Sequence, residues 1–191
     1  MIINNKELLL TEVSELLKQY SDSFSSKVYD EENNDCDPIM NIFNISPELK
    51  RENRQYWGRE LGKFWERLVV AIFKNTRPDL FKPAQQFGRD EPFDLIVGNY
   101  AIDTKYRVGS GDSGTLKKFK QYGKMISDLG YEPVFLMVRD DNLPAAITAI
   151  HQGGWTVYTG EETLNFISDI SGLNMHQFLE SFNDLYFINR D

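Results

Sequence analysis

The order of hydrophobic periodicities along this chain predicts an α/β fold, a central mixed β-sheet flanked by helices, with a further helix at the N-terminus. Three observations carry that expectation. A strong 3.6-residue period runs through Trp57, Leu61, Phe64, Trp65, Leu68, Val69, Ile72 and Phe73. The period then changes to that of strands in FDLIV and YAIDTKYRV, on either side of Gly98-Asn99. Beyond them helical and strand-like segments alternate to the C-terminus, as a sheet covered by helices requires.

The elements follow in order. Leu8, Leu9, Val13, Leu16, Leu17 and Tyr20 lie at helical spacing, and SDSFSSKVYDEENNDCDP after them has no period, so a helix and a long connection are expected over residues 1–50. Pro78 closes the second helix. TLKKFKQYGKMISDLG reads as a helix ending at Gly130, and EPVFLMV as a buried strand. NLPAAITAIHQGG is the next helix and WTVYT the next strand; Thr159 with Glu162 fits a capping box for ETLNFISDI, and a last helix is expected from about Asn174 to Tyr186.

With 191 residues and 41% apolar content, one core suffices, so residues 1–191 are expected to form one domain whose catalytic core is 51–191. No apolar run is long enough to cross a bilayer, and the N-terminal stretch lacks a leader pattern, which places the expected site of action in the cytoplasm, with no membrane partner. Cys36 alone makes no internal disulfide, and His151 and His176 lack zinc-ligand spacing. The net charge of −8 disfavours a nucleic-acid partner until its distribution is considered: Arg51 to Lys124 carries 15 Lys or Arg against 9 Asp or Glu. That window is a basic island in an acidic chain. A basic surface can follow a phosphate backbone, although a solvated mixed-charge surface has the same composition.

The hairpin is where sequence turns into chemistry. With Gly98 and Asn99 as the turn, cross-strand partners have numbers summing to 197, so Asp94 is expected to face Asp103 on one side of the sheet. Opposed like charges are destabilising, and a cation between them removes the penalty. Alternation places Lys105 on the same face as Asp103. Two hard oxygen ligands beside an open position suit Mg²⁺, and a neighbouring ammonium can orient a metal-bound water or help remove its proton.

Pro92-Phe93-Asp94 followed by Asp103-Thr104-Lys105 resembles the split PD-(D/E)xK signature of the nuclease superfamily that includes many type II restriction endonucleases, with a Phe inserted between Pro and Asp and a short gap before Asp103. YRVGSGDSGTLKKFKQYG and GGWTVYTGEETLNFISDISG resemble ApaLI-like restriction endonucleases, over most of residues 56–186. The resemblance implies a restriction-endonuclease-like core and a sequence-specific type II enzyme making Mg²⁺-dependent double-strand cuts as a homodimer, with 5′-phosphate and 3′-hydroxyl ends. Mn²⁺ is expected to substitute. Asp94, Asp103 and Lys105 would be catalytic, and Asp94, Asp103 and the Thr104 backbone carbonyl would hold the metal. Such enzymes often carry a glutamate on a preceding helix; Glu66 matches, as a catalytic residue and a ligand through water, with Gly62 one turn earlier to admit another backbone.

Gly109 to Gly114 satisfies G-x-G-x-x-G between a strand and a helix, yet Asp103, Lys105 and Arg107 on the strand before it do not suit a parallel Rossmann strand, so no nucleotide cofactor is expected. The same loop and the helix after it are instead expected to meet double-stranded DNA through Arg107, Ser110, Ser113, Lys117, Lys118 and Gln121. A repair or junction-resolving nuclease is the alternative reading; a DNA-binding module without activity and a dinucleotide-binding protein come after it.

Overall fold

The structure, a computed structural model, describes residues 6–25, 35–109, 111–183, 185, 186 and 188. Its helices and strands run α1 (Lys6–Ser25), α2 (Pro38–Ile42), α3 (Pro47–Glu52), α4 (Arg54–Thr76), β1 (Phe81–Pro83), β2 (Leu95–Val97), β3 (Tyr100–Lys105), α5 (Ser113–Asp128), β4 (Glu132–Met137), α6 (Pro144–Gln152), β5 (Thr156–Thr159), α7 (Gly160–Ser171) and α8 (Met175–Glu180).

The chain divides into two compact units, 1–33 and 34–191. The first contains α1, whose Val13, Leu16, Leu17 and Tyr20 are exposed. The second begins earlier than the expected core at residue 51. The stretch read as connection forms α2 and α3, because Asp37 and Ser46 accept hydrogen bonds from the first free amides of each helix and Pro38 and Pro47 begin them. Ile39, Met40, Ile42 and Ile45 are buried with α4 in the larger apolar cluster.

The sheet has strand order β1-β2-β3-β4-β5, antiparallel across β1, β2 and β3 and parallel from β3 to β5. The hairpin pairs Leu95 with Ile102, Ile96 with Ala101 and Val97 with Tyr100, the expected register, and Gly98 at φ 58° makes the turn. Even-numbered residues of β3 and β4, Ile102, Val134 and Leu136, pack with α4, α7, α2 and α8. Ala101, Phe135 and Met137 face the other way, against α5 and α6. The result is three layers, helices on both faces of a mixed sheet.

Two local expectations differ. Thr159 occupies the N-cap of α7 but makes no side-chain cap bond, so the capping box with Glu162 does not form. The last helix is shorter than its apolar pattern, since α8 ends at Glu180 and turns follow.

Candidate active site

The sheet end where β2 begins and β3 and β4 finish gathers the charged residues. Asp94 lies just before β2, its backbone N–H donating to the Ile102 carbonyl at 2.8 Å. The regular ladder ends at the Leu95–Ile102 pair, so Asp94 does not face Asp103 as a further ladder pair. Its Oδ2 instead accepts from the Thr104 N–H and from the Thr104 hydroxyl, each at 2.7 Å. The cause is local: the backbone bends at Asp94, and its carboxylate satisfies a Thr104 N–H at the end of the pairing with β2.

Asp103 is 8% exposed. Desolvation is the main reason its carboxyl is pushed up to about 6; the Lys105 ammonium opposes that rise, and the negative charges of Asp94 and Glu66 add to it. Lys105 Nζ donates to Asp103 Oδ1 and, at 3.0 Å, to the Thr104 carbonyl. Burial pulls the lysine down, but Asp103, Asp94 and Glu66 together outweigh it and hold its ammonium above the ordinary range. The carboxylates around Lys105 outnumber its single positive charge.

Glu66 stands on α4, and its carboxyl is raised, first by desolvation and then by Asp94. Lys105 opposes that rise, which places Glu66 in the same electrostatic cluster. Among the described residues it makes no direct hydrogen bond to either. One turn earlier, a methyl group at Gly62 would lie 3.8 Å from Tyr106 Cβ, an ordinary contact, so α4 approaches β3 here without requiring glycine.

The expected DNA-contacting residues separate in space. Arg107 is half-buried, its Nε donating to Asp141 Oδ2 at 3.0 Å and to the Asp141 carbonyl at 2.8 Å. Ser110 lies outside the described residues. Ser113 opens α5, where Asp112 already takes the amides of Gly114 and Thr115, so these helix N-terminal donors are engaged from within. Lys117 and Gln121 are exposed on α5; Lys118 is also exposed, with Nζ 3.6 Å from Asp90 Oδ1.

A buried polar network beside this cluster escaped the sequence reading. Arg139 is 5% exposed. It donates to Asp37 at 3.0 Å, to Asp141 at 2.7 Å and to the Asp35 carbonyl at 3.1 Å. The Tyr106 hydroxyl donates to the same Asp37 carboxylate, and burial, followed by Asp37, pushes that phenol well up. Asn142 accepts from Val108 N–H at 2.8 Å. The available signal was the polar run Arg139-Asp140-Asp141-Asn142 directly after an apolar strand, at the strand end where α/β sheets place their sites.

Among the described residues no three Asp, Glu, His or Cys side chains form a group that could hold a metal ion. The oxygen donors gathered around Lys105 are the carboxylates of Asp94 and Asp103 and the Thr104 carbonyl. A mixed three-layer α/β/α sheet with a hairpin-borne acid and lysine pair is thus the frame on which the comparisons bear. A family model for ApaLI-like restriction endonucleases matches residues 6–184, and the chain belongs to this family. It is accordingly a DNA endonuclease. No curated protein and no solved structure matches it. Among the described residues no helix is long and apolar enough to cross a membrane.

Proposed function

We propose that this chain is a sequence-specific type II enzyme of the PD-(D/E)xK kind that makes Mg²⁺-dependent double-strand cuts, leaving 5′-phosphate and 3′-hydroxyl ends, and works in the cytoplasm as a homodimer. The observation that carries the reading is the gathering of Asp94, Asp103, the Thr104 carbonyl and Lys105 at one end of the sheet, with Asp94 bonded to Thr104 and Lys105 bonded to Asp103 and to the Thr104 carbonyl. Two carboxylates against one ammonium leave room for a second cation. Asp94, Asp103 and the Thr104 carbonyl would hold it, with Glu66 acting through water, and this all-oxygen set suits Mg²⁺ or Mn²⁺. When bound, the ion neutralises these carboxylates and acidifies a coordinated water.

The protein's own groups divide the remaining work. Lys105, bonded to Asp103 and to the Thr104 carbonyl, serves as a hydrogen-bond donor and positive charge toward the scissile phosphate or the attacking water. Thr104 fixes the Asp94 carboxylate with two bonds, keeping one acid at the strand edge while the other is buried. Lys117, Lys118 and Gln121 lie on the exposed side of α5, where they can follow the backbone of bound DNA.

Plasmid digestion followed by sequencing of the ends tests this. Cutting at one repeated site is expected with Mg²⁺ or Mn²⁺ and none in EDTA. Asp94→Asn, Asp103→Asn and Lys105→Ala should each nearly abolish it with circular dichroism unchanged. Undiminished cutting in chelator, or near-normal turnover by Lys105→Ala, overturns the chemistry. Ends that follow DNA structure rather than sequence would indicate a repair or junction-resolving role instead.

A further inference from the structure

The connection from β1 to β2 contains a second, smaller turn. Phe87 N–H donates to the Asp90 carbonyl at 2.8 Å and Asp90 N–H returns to the Phe87 carbonyl at 3.2 Å, leaving Gly88 and Arg89 as the two-residue tip. Gly88 takes φ 68°, which a residue with a side chain rarely adopts. Both legs are anchored on the α5 face of the sheet. Phe87 packs edge-on against the buried Phe93, ring centroids 6.1 Å apart, and the Tyr122 hydroxyl of α5 donates to Asp90 at 2.6 Å. What this anchored tip presents to solvent is Arg89, with Gln85 and Gln86 exposed just before it. Among the described residues the Arg89 side chain has no hydrogen-bond or ion-pair partner, whereas Arg107 and Arg139 beside the site are bound to Asp141.

We propose that this turn is a base-reading element of the enzyme and that Arg89 reads a guanine in the major groove. The inference rests on the endonuclease reading above and deepens it. A base reader needs uncommitted donors on a backbone that does not move, because its discrimination depends on geometry. A narrow two-residue turn closed by a single bridge can enter the major groove, and a guanidinium fork matches the O6 and N7 acceptors of guanine. Position agrees as well. Arg89 precedes Asp94 by five positions, so their Cα atoms are at most about 18 Å apart. With the reach of the arginine side chain added, the base read lies within about one helical turn, roughly 34 Å, of the phosphate at Asp94 and Asp103.

The test is digestion of a randomised duplex library with Mg²⁺ by wild type, Arg89→Ala and Arg89→Lys, with all ends sequenced. Wild type should yield one consensus. Arg89→Ala should lose discrimination at one guanine, and at its dyad-related position, on the order of tenfold to a hundredfold, with the other positions unchanged. Arg89→Lys should not restore it, since an ammonium lacks the fork. Should Arg89→Ala cut too weakly to sequence, the same library captured on filters in Ca²⁺ by Lys105→Ala protein, with and without Arg89→Ala, gives the same comparison. An unchanged consensus in Arg89→Ala, or full recovery with lysine as a phosphate contact would show, overturns the proposal. A wild type with no consensus at all overturns the sequence-specific reading and this one with it.

Discussion

Asp103 and Lys105 are two residues apart on one strand, yet burial treats them differently: the acid is raised toward neutrality and the lysine remains charged. For Asp103 the consequence for stability has a definite sign. Its carboxyl rises from 3.8 to about 6 on folding, so between those values the folded chain holds a proton that the unfolded chain has released. The metal-free protein should therefore lose stability as pH rises from about 4 to 6 and stay level above. Asp103→Asn should remove this loss, flattening the stability profile between about pH 4 and 6 in urea unfolding at a series of pH values. A variant whose stability still falls across that range as the wild type's does would contradict it. Arg139 makes the opposite case, because its two carboxylate partners are both largely buried. Arg139→Met should cost about 3 to 5 kcal/mol in chemical denaturation, more than Asp37→Asn, since it leaves the buried Asp37 carboxylate without its cation and Asp141 with Arg107 but no longer Arg139.

At the scale of elements, two helical glycines with similar local sequence signals have different roles. On α5, a methyl group at Gly123 would run into the Gly153 carbonyl and lie 2.6 Å from Trp155 Nε1, whose own N–H donates to the Phe119 carbonyl at 2.7 Å. Those atoms are backbone and a buried ring, so they have no room to yield. Gly123→Ala should lower the melting temperature substantially, with a cost of roughly 3 kcal/mol from overpacking. Gly62→Ala on α4 meets only Tyr106 Cβ at 3.8 Å and should be neutral or stabilising by up to about 1 kcal/mol, the helix-propensity difference. Equal losses at the two positions would show that the contact at Gly123 is not what decides. The helix of residues 57–73 was legible because its apolar stripe is long, while α2, α3 and β1 are too short to show a period and depend on caps and neighbours.

For the whole molecule, the acidic total hides a basic middle. The window from Arg51 to Lys124, at a net +6, carries the hairpin, the Arg89 turn and most of α5, whereas the rest of the chain is strongly negative. Under the proposed function, the basic residues that face solvent in this window, Lys117 and Lys118 among them, are the ones available to a phosphate backbone. The double-strand cleavage proposed above, with one acid and lysine cluster per chain among the described residues, calls for two chains acting together. The exposed apolar stripe of α1 and, separately, an apolar hollow of about 340 Å³ lined by Phe43, Phe64, Leu68 and Phe182 are surfaces on which such a contact can form. Sedimentation at micromolar concentration should give the mass of two chains; a monomer that only nicks single strands would reject the dimer.

The sequence alone determined what neighbours along the chain can specify. The alternation of periods led to the layered α/β fold, Gly98 set the hairpin register, and the spacing of Asp94, Asp103 and Lys105 brought these three residues to one end of the sheet, because each signal is carried by neighbours within a single element or hairpin. Tertiary structure alone decided what depends on distant partners. Asp37 reaches Arg139 across 102 positions, Asp141 takes Arg107 away from solvent, and the backbone bend at Asp94 turns an expected cross-strand pair into a carboxylate bonded to Thr104. No local pattern encodes those outcomes: a buried charge takes whichever partner the packing brings to it, and the packing is a property of the whole domain.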